Sequence, residues 1–220
     1  RQAWRKGAGV SAYNPVDWAF HFDTSLDAIV APQRLVSELA GLASAVEAKT
    51  GKSAPGALRA ELDKARATDA QQALAERLAA SNTGLVLIGQ AAQQHGDGAW
   101  LRALAAYIAS ATGCALNLLS AGGNARGAWL AGAVPHRGPA GSTAIAGKNV
   151  QQMLESPLAA YVLWGIEPGF DVANPSQAVK TLRGGGKVII VASHAASGLY
   201  EMGDVILPLA PQPESEGSMV

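Results

Sequence analysis

The histidines and the one cysteine are the residues of this chain that could hold a metal or act as nucleophile and base. The histidines share no spacing typical of metal ligands, and they stand at His21, His95, His136 and His194. A lone cysteine, Cys114, cannot form an internal disulfide or supply the Cys-rich sets that hold zinc or iron–sulfur clusters. We interpret it as an inert thiol of the core, and we predict no metal site.

Ser193 and His194 are adjacent in the sequence and are of the residue types that can serve as a nucleophile and its base. Adjacent side chains diverge on an extended backbone, which is poor geometry for such a pair. The Gly-x-Ser-x-Gly elbow of many hydrolases is also absent from the sequence. We therefore predict no catalytic residue, and we interpret acids such as Glu167 and Asp204 as loop and cap residues.

Glycines follow several of the apolar runs. Gly89, Gly165 and the pair Gly122–Gly123 come after predicted strands, where backbone N–H groups can cradle a phosphate. However, neither Gly-x-Gly-x-x-Gly nor a phosphate-binding loop ending in Gly-Lys-Ser/Thr occurs. We favour the interpretation that these glycines permit tight strand-to-helix turns, and a nucleotide site stays open as the alternative.

The elements that must position these residues follow from the periodicity of apolar side chains. Short apolar runs predict parallel strands over residues 85–88, 115–119, 160–164, 187–191 and 205–209. The continuous run at 85–88, followed by Gly89, is typical of a fully buried parallel strand, and the run at 115–119 is also interpreted as buried. Helical spacing predicts helices between the strands, over residues 99–111, 125–131, 150–154 and 175–183, and a helical turn over 199–202. We expect Asn174 to cap the helix at 175–183, with Pro175 in its first turn. Two strand–helix–strand motifs predict an α/β fold with a doubly wound, Rossmann-like, mostly parallel sheet.

The division of the chain follows from the same patterns. Residues 1–32 are predicted to form an irregular or short-stranded lead-in, in which residues 7–11 and 18–22 are considered as extended. Residues 33–82 are predicted to form a helical segment with helices over 33–49, 55–66 and 69–80, the last of them capped by Asp69. Residues 83–220 hold the two strand–helix–strand motifs. We expect the whole to fold as one compact domain.

Ligands of open parallel sheets bind beyond the carboxyl ends of the strands. The residues that the predicted topology places there are our candidates for a vestigial cofactor pocket: Gly89, Gly122, Asn124, Gly165, Glu167, Ser193 and His194.

The composition limits the classes of partner. Net charge is zero, which argues against nucleic acid and against a charged membrane surface as partners. Charged residues make up only 15% of the 220 residues, where about 25% is usual, so we expect neighbouring domains or subunits to cover part of the surface. No apolar run approaches the roughly 20 residues of a membrane-spanning helix.

We interpret the tryptophans as anchors of the core or of an interface. They are Trp4, Trp18, Trp100, Trp129 and Trp164.

Two stretches of the second strand–helix–strand motif carry a recognisable order of residues. Residues 161–168 read as a strand followed by a Gly-x-x-Pro turn, and residues 203–209 read Gly-Asp-Val-Ile-Leu-Pro-Leu after the strand at 187–191. This order resembles the molybdopterin oxidoreductase superfamily. The resemblance implies the Rossmann-like fold of the middle domains of formate dehydrogenases and dimethyl sulfoxide reductases.

Three further stretches resemble one family within this superfamily: residues 9–17 with 28–32, residues 122–137, and residues 207–209 leading to 214–220. They are similar to the family of large iron–sulfur subunits in the bacterial proton-pumping NADH-quinone oxidoreductase, respiratory complex I. This similarity implies a non-catalytic structural role that supports electron transfer from NADH to quinone. It also implies a location in the peripheral arm, on the cytoplasmic side of the inner membrane, with other peripheral-arm subunits as partners. We expect no nucleic acid partner and no membrane insertion.

The same resemblance implies that the iron–sulfur clusters lie in a part of the protein preceding these residues. We therefore expect this chain to belong to a longer protein, to hold no cofactor itself and to be inactive alone. In molybdenum and tungsten enzymes an acidic residue commonly follows the strand equivalent to 188–191 and helps hold the pterin guanine dinucleotide. Ala192, Ser193 and His194 stand there instead. Two alternatives stay open: a molybdopterin-dinucleotide-binding part of a molybdenum or tungsten oxidoreductase, and a generic nucleotide-binding Rossmann-like module such as the central domain of a thiamine-dependent enzyme.

Overall fold

The computed structural model describes residues 1–81, 83–194 and 196–217. The end of the predicted helical segment, at residue 82, and the last residues of the stretch 214–220 lie outside the described residues. Contacts within the chain group it into two compact units, residues 1–121 and residues 122–220. The domain division drawn from the sequence remains a prediction, and each unit is described by itself.

The first unit combines helices with short parallel strands. Its strands are β1 (Ser11–Asn14), β2 (Leu26–Ile29), β3 (Leu85–Ile88) and β4 (Ala115–Leu118). Its helices are α1 (Gln2–Arg5), α2 (Leu35–Thr50), α3 (Arg59–Lys64), α4 (Asp69–Ala79), α5 (Gln90–Gln93) and α6 (Gly98–Thr112). Within it, β1 pairs with β2 and β3 pairs with β4, both in parallel. The helices predicted at 33–49, 69–80 and 99–111 are therefore confirmed to within about two residues.

The core of the first unit lies between α2, α4 and α6. Val46, Leu104 and Ile108 are completely or almost completely buried there. Ala40 and Ala43 of α2 are also fully buried, and their small side chains let neighbouring helices approach closely. The helices α2 and α6 end at glycines with left-handed backbone angles, Gly51 and Gly113, because a residue without Cβ adopts this conformation at no steric cost.

A buried glutamine joins two of these helices. Thr68, and not the predicted Asp69, caps α4: its Oγ1 accepts a hydrogen bond from the Gln71 N–H at 3.3 Å, and Gln71 Oε1 accepts one from the Thr68 N–H at 3.0 Å. Gln71 Nε2 also donates to the backbone oxygen of Glu38 in α2 at 3.0 Å. Thr68 is the cap because Thr68 and Gln71, three residues apart, each accept a hydrogen bond from the other's backbone N–H. Asp69 is not the cap because it lies inside the helix.

The strand predictions for the first unit hold in their positions but not in their burial. Ile88 is buried, whereas Leu85 and Leu87 are exposed, and every residue of β4 is exposed. One face of β3 packs on α6 and the other face is bare. The short strands β1 and β2 lie in the lead-in that was predicted to be irregular or short-stranded. Residues 18–22, considered as extended, form no strand.

The second unit is built around one parallel sheet. Its strands are β5 (Ala160–Trp164), β6 (Lys187–Ala192) and β7 (Val205–Pro208), in the order β5–β6–β7. Its helices are α7 (Ala125–Ala131), α8 (Val150–Glu155), α9 (Pro175–Gly184) and α10 (Ser197–Tyr200). These bounds agree with the predicted ones to within about two residues. Asn174 caps α9 through its side chain and Pro175 opens the helix, both as predicted.

Alternate residues of these strands have opposite environments. Tyr161, Leu163, Val188 and Ile190 point to one face, where they pack with Leu182, Leu199 and Met202 in the core of the unit. On the other face Val162 is 63% exposed and Trp164 is 67% exposed. The strand predictions for this unit hold in their positions, and the face that carries Val162 and Trp164 is left exposed.

The fold class is confirmed. The chain is a mixed α/β protein in which each named strand of the described residues pairs in parallel, as in a Rossmann-like sheet. No helix within the described ranges is both long and apolar enough to cross a membrane.

Candidate functional site

The ends of β5, β6 and β7 form one edge of the second unit, which we call the carboxyl edge. Because the three strands are parallel, the loops that follow them leave the sheet at the same edge. The Gly165 N–H donates to the Val191 oxygen at 2.8 Å, and the Leu209 N–H donates to the Ala192 oxygen at 3.0 Å. The structure therefore brings together four of the predicted pocket residues here: Gly165, Glu167, Ser193 and His194.

The loop after β5 closes on itself. Gly165 has a φ of +63°, a left-handed angle that starts the turn. The Glu167 N–H donates to Asp171 Oδ2 at 2.6 Å, and the Asp171 N–H returns a bond to the Glu167 oxygen at 2.9 Å. A carboxylate of the chain itself thus occupies the backbone donor that could otherwise receive a phosphate oxygen. Sequence reasoning missed Asp171, whose signal was a carboxylate four residues after Glu167 in a turn.

Ser193 and His194 do not diverge as the sequence suggested. Ser193 Oγ lies 3.1 Å from His194 Nδ1, because the backbone bends directly after β6 instead of continuing extended. Both side chains are exposed, and within the described part of the chain no third group bonds to the imidazole to orient it. A serine and a histidine at this distance, without an orienting group or a donor pair for an oxyanion, are not an assembled nucleophilic site.

The other predicted pocket residues lie elsewhere. Gly89 belongs to the first unit, where it precedes α5 and a Cβ would meet open space. Gln93 Nε2 bonds to the oxygens of Ile88 and Leu119 and so joins the ends of β3 and β4. Gly122, with φ of +78°, and Asn124 open the second unit before α7, and Asn124 is the residue before that helix.

Charge at the carboxyl edge has one sign. The described residues of the loops that follow β5, β6 and β7 are 165–174, 193–194 with 196, and 209–217. Their ionisable acids and bases are all carboxylates, apart from His194, and they are Glu167, Asp171, Glu214 and Glu216. No lysine or arginine occurs in the three loops. The edge is therefore electronegative and repels a diphosphate, unless added cations compensate.

Asp204, the other acid singled out from the sequence, lies at the opposite edge. It precedes β7 and accepts hydrogen bonds from Lys187 Nζ at 2.7 Å and from the Val188 N–H at 2.8 Å. The bond from Lys187 and then the bond from the Val188 N–H lower the pKa of Asp204. Asp204 thus joins the starts of β6 and β7 and caps no described helix.

The lowered pKa of Asp204 predicts a specific acid sensitivity. A carboxyl whose pKa is lower in the folded state stabilises the fold above its unfolded pKa of about 3.9, and this contribution disappears as the pH falls through the folded pKa. We expect the urea midpoint of the second unit to fall more steeply below about pH 4 in the natural protein than in Asp204→Asn. The measurement is urea unfolding at several pH values between about 2 and 6.

The matched control for this prediction is Glu214→Gln. Glu214 is an exposed acid of the same unit, and its carboxylate makes no hydrogen bond to the described residues. This variant should keep the pH dependence of the natural protein. If Asp204→Asn and Glu214→Gln show the same pH dependence as each other, the link between Asp204 and acid stability is wrong.

Comparisons with known proteins support one family. A sequence model of the family described as Molybdopterin oxidoreductase matches residues 47–220, well over half of the chain. No curated protein matches the chain. Among the described residues no group of three or more His, Cys, Asp or Glu side chains could hold a metal ion.

Proposed function

The chain belongs to the molybdopterin oxidoreductase family, and from this premise we propose that it serves as a non-catalytic scaffold within an oxidoreductase. The observation that carries the proposal is the carboxyl edge. It stands where an open parallel sheet binds its ligand, yet the loop after β5 is closed by Asp171 and the edge is electronegative.

The family implies a pterin dinucleotide with a diphosphate group, and the residues present do not fit it. A diphosphate needs free backbone N–H groups or cationic side chains. Here the Glu167 N–H is engaged by Asp171, and the three loops of the edge contain no lysine or arginine. Ser193 and His194 offer two small polar groups in place of the acid that commonly holds the guanine. We therefore derive no reaction through this cofactor.

At a finer level we propose that the longer protein to which this chain belongs, called the parent below, is the large iron–sulfur subunit of a proton-pumping NADH-quinone oxidoreductase. The support is the order of the motifs at 9–17 with 28–32, at 122–137, and at 207–209 leading to 214–220, which is similar to that subunit family. The proposed role is to brace, on the cytoplasmic side of the inner membrane, the peripheral arm that carries electrons from NADH to quinone. The partners would be other peripheral-arm subunits. An iron–sulfur cysteine pattern encoded ahead of Arg1 would support this proposal, and its absence from the parent would contradict it.

Family membership favours a second candidate, a dinucleotide-binding part of a molybdenum or tungsten oxidoreductase. Four candidate residues do meet at the carboxyl edge, and Gly165 leaves room for a backbone approach, since a Cβ there would touch only Leu209 at 3.5 Å. This candidate requires the dinucleotide to displace the Asp171 carboxylate from the Glu167 N–H.

Calorimetric titration with GDP separates the two candidates, because GDP presents both the guanine and the diphosphate. We expect no saturable heat up to about 1 mM GDP, which limits any binding free energy to about −4 kcal/mol. ATP serves as the control ligand with the same polyphosphate character. A saturable isotherm with GDP but not ATP, lost in Ser193→Ala, would overturn the scaffold proposal and establish the dinucleotide site.

A further inference from the structure

The first third of the second unit contains cations but no acids. Residues 122–154 contain Arg126, Arg137 and Lys148 and no aspartate or glutamate. Residues 155–220 contain three lysines or arginines and seven aspartates or glutamates. The net charge of the whole chain is zero, although within the second unit residues 122–154 are basic and residues 155–220 are acidic. Such segregation gives residues 122–154 a positive potential that the composition as a whole does not show.

Helix α7 presents an exposed apolar and cationic side. Arg126, Trp129 and Leu130 lie three and four residues apart, so they share one side of the helix. Trp129 is 50% exposed and Leu130 is 52% exposed. The ring of His136 lies against Trp129 edge to face, with centroids 5.0 Å apart. Arg126, Trp129, Leu130, His136 and Arg137 together are called the basic hairpin below.

The backbone after α7 holds the basic hairpin in one shape. Gly132 ends the helix with φ of +78°, and a Cβ at this position would lie 2.6 Å from the Pro139 nitrogen. Val134 and Arg137 pair across a short antiparallel bridge. The Gly147 N–H donates to the Pro135 oxygen at 2.6 Å. A surface that is ordered before it meets a partner loses less conformational entropy on binding.

The cations of the basic hairpin are not used within the fold. Neither Arg126 nor Arg137 makes an ion pair or a side-chain hydrogen bond with the described residues, and both are exposed. Lys148 differs, since its Nζ bonds to Ser156. Arg126 lies on the same side of α7 as Trp129, and Arg137 follows His136, whose ring contacts Trp129. Their two guanidinium groups supply planar donor sets suited to carboxylates.

We propose that the basic hairpin binds an acidic segment of a partner polypeptide that also inserts an apolar side chain beside Trp129. Tryptophan and arginine are the residue types that most often dominate the binding energy of protein interfaces. A polypeptide fits better than a nucleic acid because the acidic remainder of the same unit repels a long polyanion, whereas a short acidic segment can avoid it. The inference deepens the scaffold role proposed above, on which it rests, by naming one surface and the chemistry of its partner.

Site-specific photocrosslinking in cells that make the full parent protein tests this inference. A photoreactive amino acid replaces Leu130, and the crosslinked peptide is identified by mass spectrometry. The expected result is one discrete adduct to a polypeptide whose crosslinked segment contains more acids than bases. Arg126→Glu should lower the adduct yield at least about tenfold, because reversing a charge at an interface opposes the partner's carboxylates.

Lys180→Glu is the matched control, since it reverses one exposed charge on α9 of the same unit and should leave the adduct unchanged. Arg126→Gln, which keeps side-chain length and lowers the risk of misfolding, should give an intermediate yield. Absence of an adduct, an adduct to nucleic acid, or an adduct that survives Arg126→Glu would overturn the inference.

Purification of the parent from the same cells distinguishes failure of this inference from failure of the proposed function. If the parent purifies with an NADH-oxidising complex and Leu130 gives no adduct, only the basic hairpin inference fails. If an acidic polypeptide is crosslinked while the parent purifies without NADH oxidation, the surface stands and the proposed parent is wrong.

Discussion

Replacing Ile190 with alanine is expected to lower the free energy of unfolding of the second unit by about 3 kcal/mol. Ile190 is 0% exposed and lies in the central strand β6, opposite Leu163 of β5 and Ile206 of β7. Truncation removes buried apolar area and leaves a cavity that the strands on both sides cannot close, because their backbone pairing fixes them. Urea unfolding combined with amide hydrogen exchange of β5–β7 would measure the loss in this unit.

Ile189→Ala is the matched control for Ile190→Ala. Ile189 is the preceding residue of the same strand and points to the other, half-exposed face. We expect it to cost less than half as much, since fewer buried contacts are lost. Equal losses for the two variants would mean that the face of Ile189 is packed in solution, and that the one-sided core of this unit is wrong.

Gly186→Ala is expected to destabilise the second unit by at least about 2 kcal/mol. Gly186 has φ of +86°, which L residues with a Cβ adopt only with strain. A Cβ there would lie 2.5 Å from the Leu158 oxygen and 3.3 Å from the Ala159 oxygen. Both are backbone atoms next to β5, so relief of the clash requires the start of β5 to move away from β6. The measurement is again urea unfolding with hydrogen exchange of β5 and β6.

The neighbouring glycine provides the control for this prediction. Gly185 has φ of 164°, which is extended backbone, and no atom lies within 4 Å of a Cβ built on it. Gly185→Ala should change stability by less than about 0.5 kcal/mol, or raise it slightly by restricting the unfolded chain. If both alanine variants destabilise equally, loss of glycine flexibility and not the clash at Leu158 is the cause.

These two positions matter for the proposed function because the carboxyl edge depends on the pairing of β5 with β6. Gly186 sets where β6 begins, and Ile190 holds β6 on the core. If the scaffold proposal is correct, variants that shift this pairing should weaken assembly of the parent oxidoreductase in proportion to their loss of stability. Catalysis at the edge itself is not required for that effect.

Much of the fold could be predicted because its signals are local. An apolar run followed by Gly165 located β5, and an apolar run preceded by Gly186 located β6. Asn174 followed by Pro175 located the start of α9. The family could be recognised for a related reason, since the order of strand, turn and Pro-containing motifs survives as a linear pattern. The capping of α4 by Thr68 was missed because aspartate and threonine both cap helices, and only the buried Gln71 distinguishes them.

The candidate site could be predicted only in outline. Parallel topology correctly placed Gly165, Glu167, Ser193 and His194 at one edge. The bond of Asp171 to the Glu167 N–H could not be predicted, because it depends on the path of a loop between two strands. The 3.1 Å approach of Ser193 to His194 likewise depends on a backbone bend that the sequence does not mark.

The sequence by itself determined that this is an α/β protein of the molybdopterin oxidoreductase type without a metal-ligand pattern, since composition, periodicity and motif order are properties of the chain. It also indicated that β5 is apolar throughout and that β6 is apolar after Lys187. Only the tertiary structure decided that one face of these strands packs on the helices while Val162 and Trp164 stay exposed. The physical reason is that burial depends on which elements reach a face, and the sequence of a strand does not contain that information.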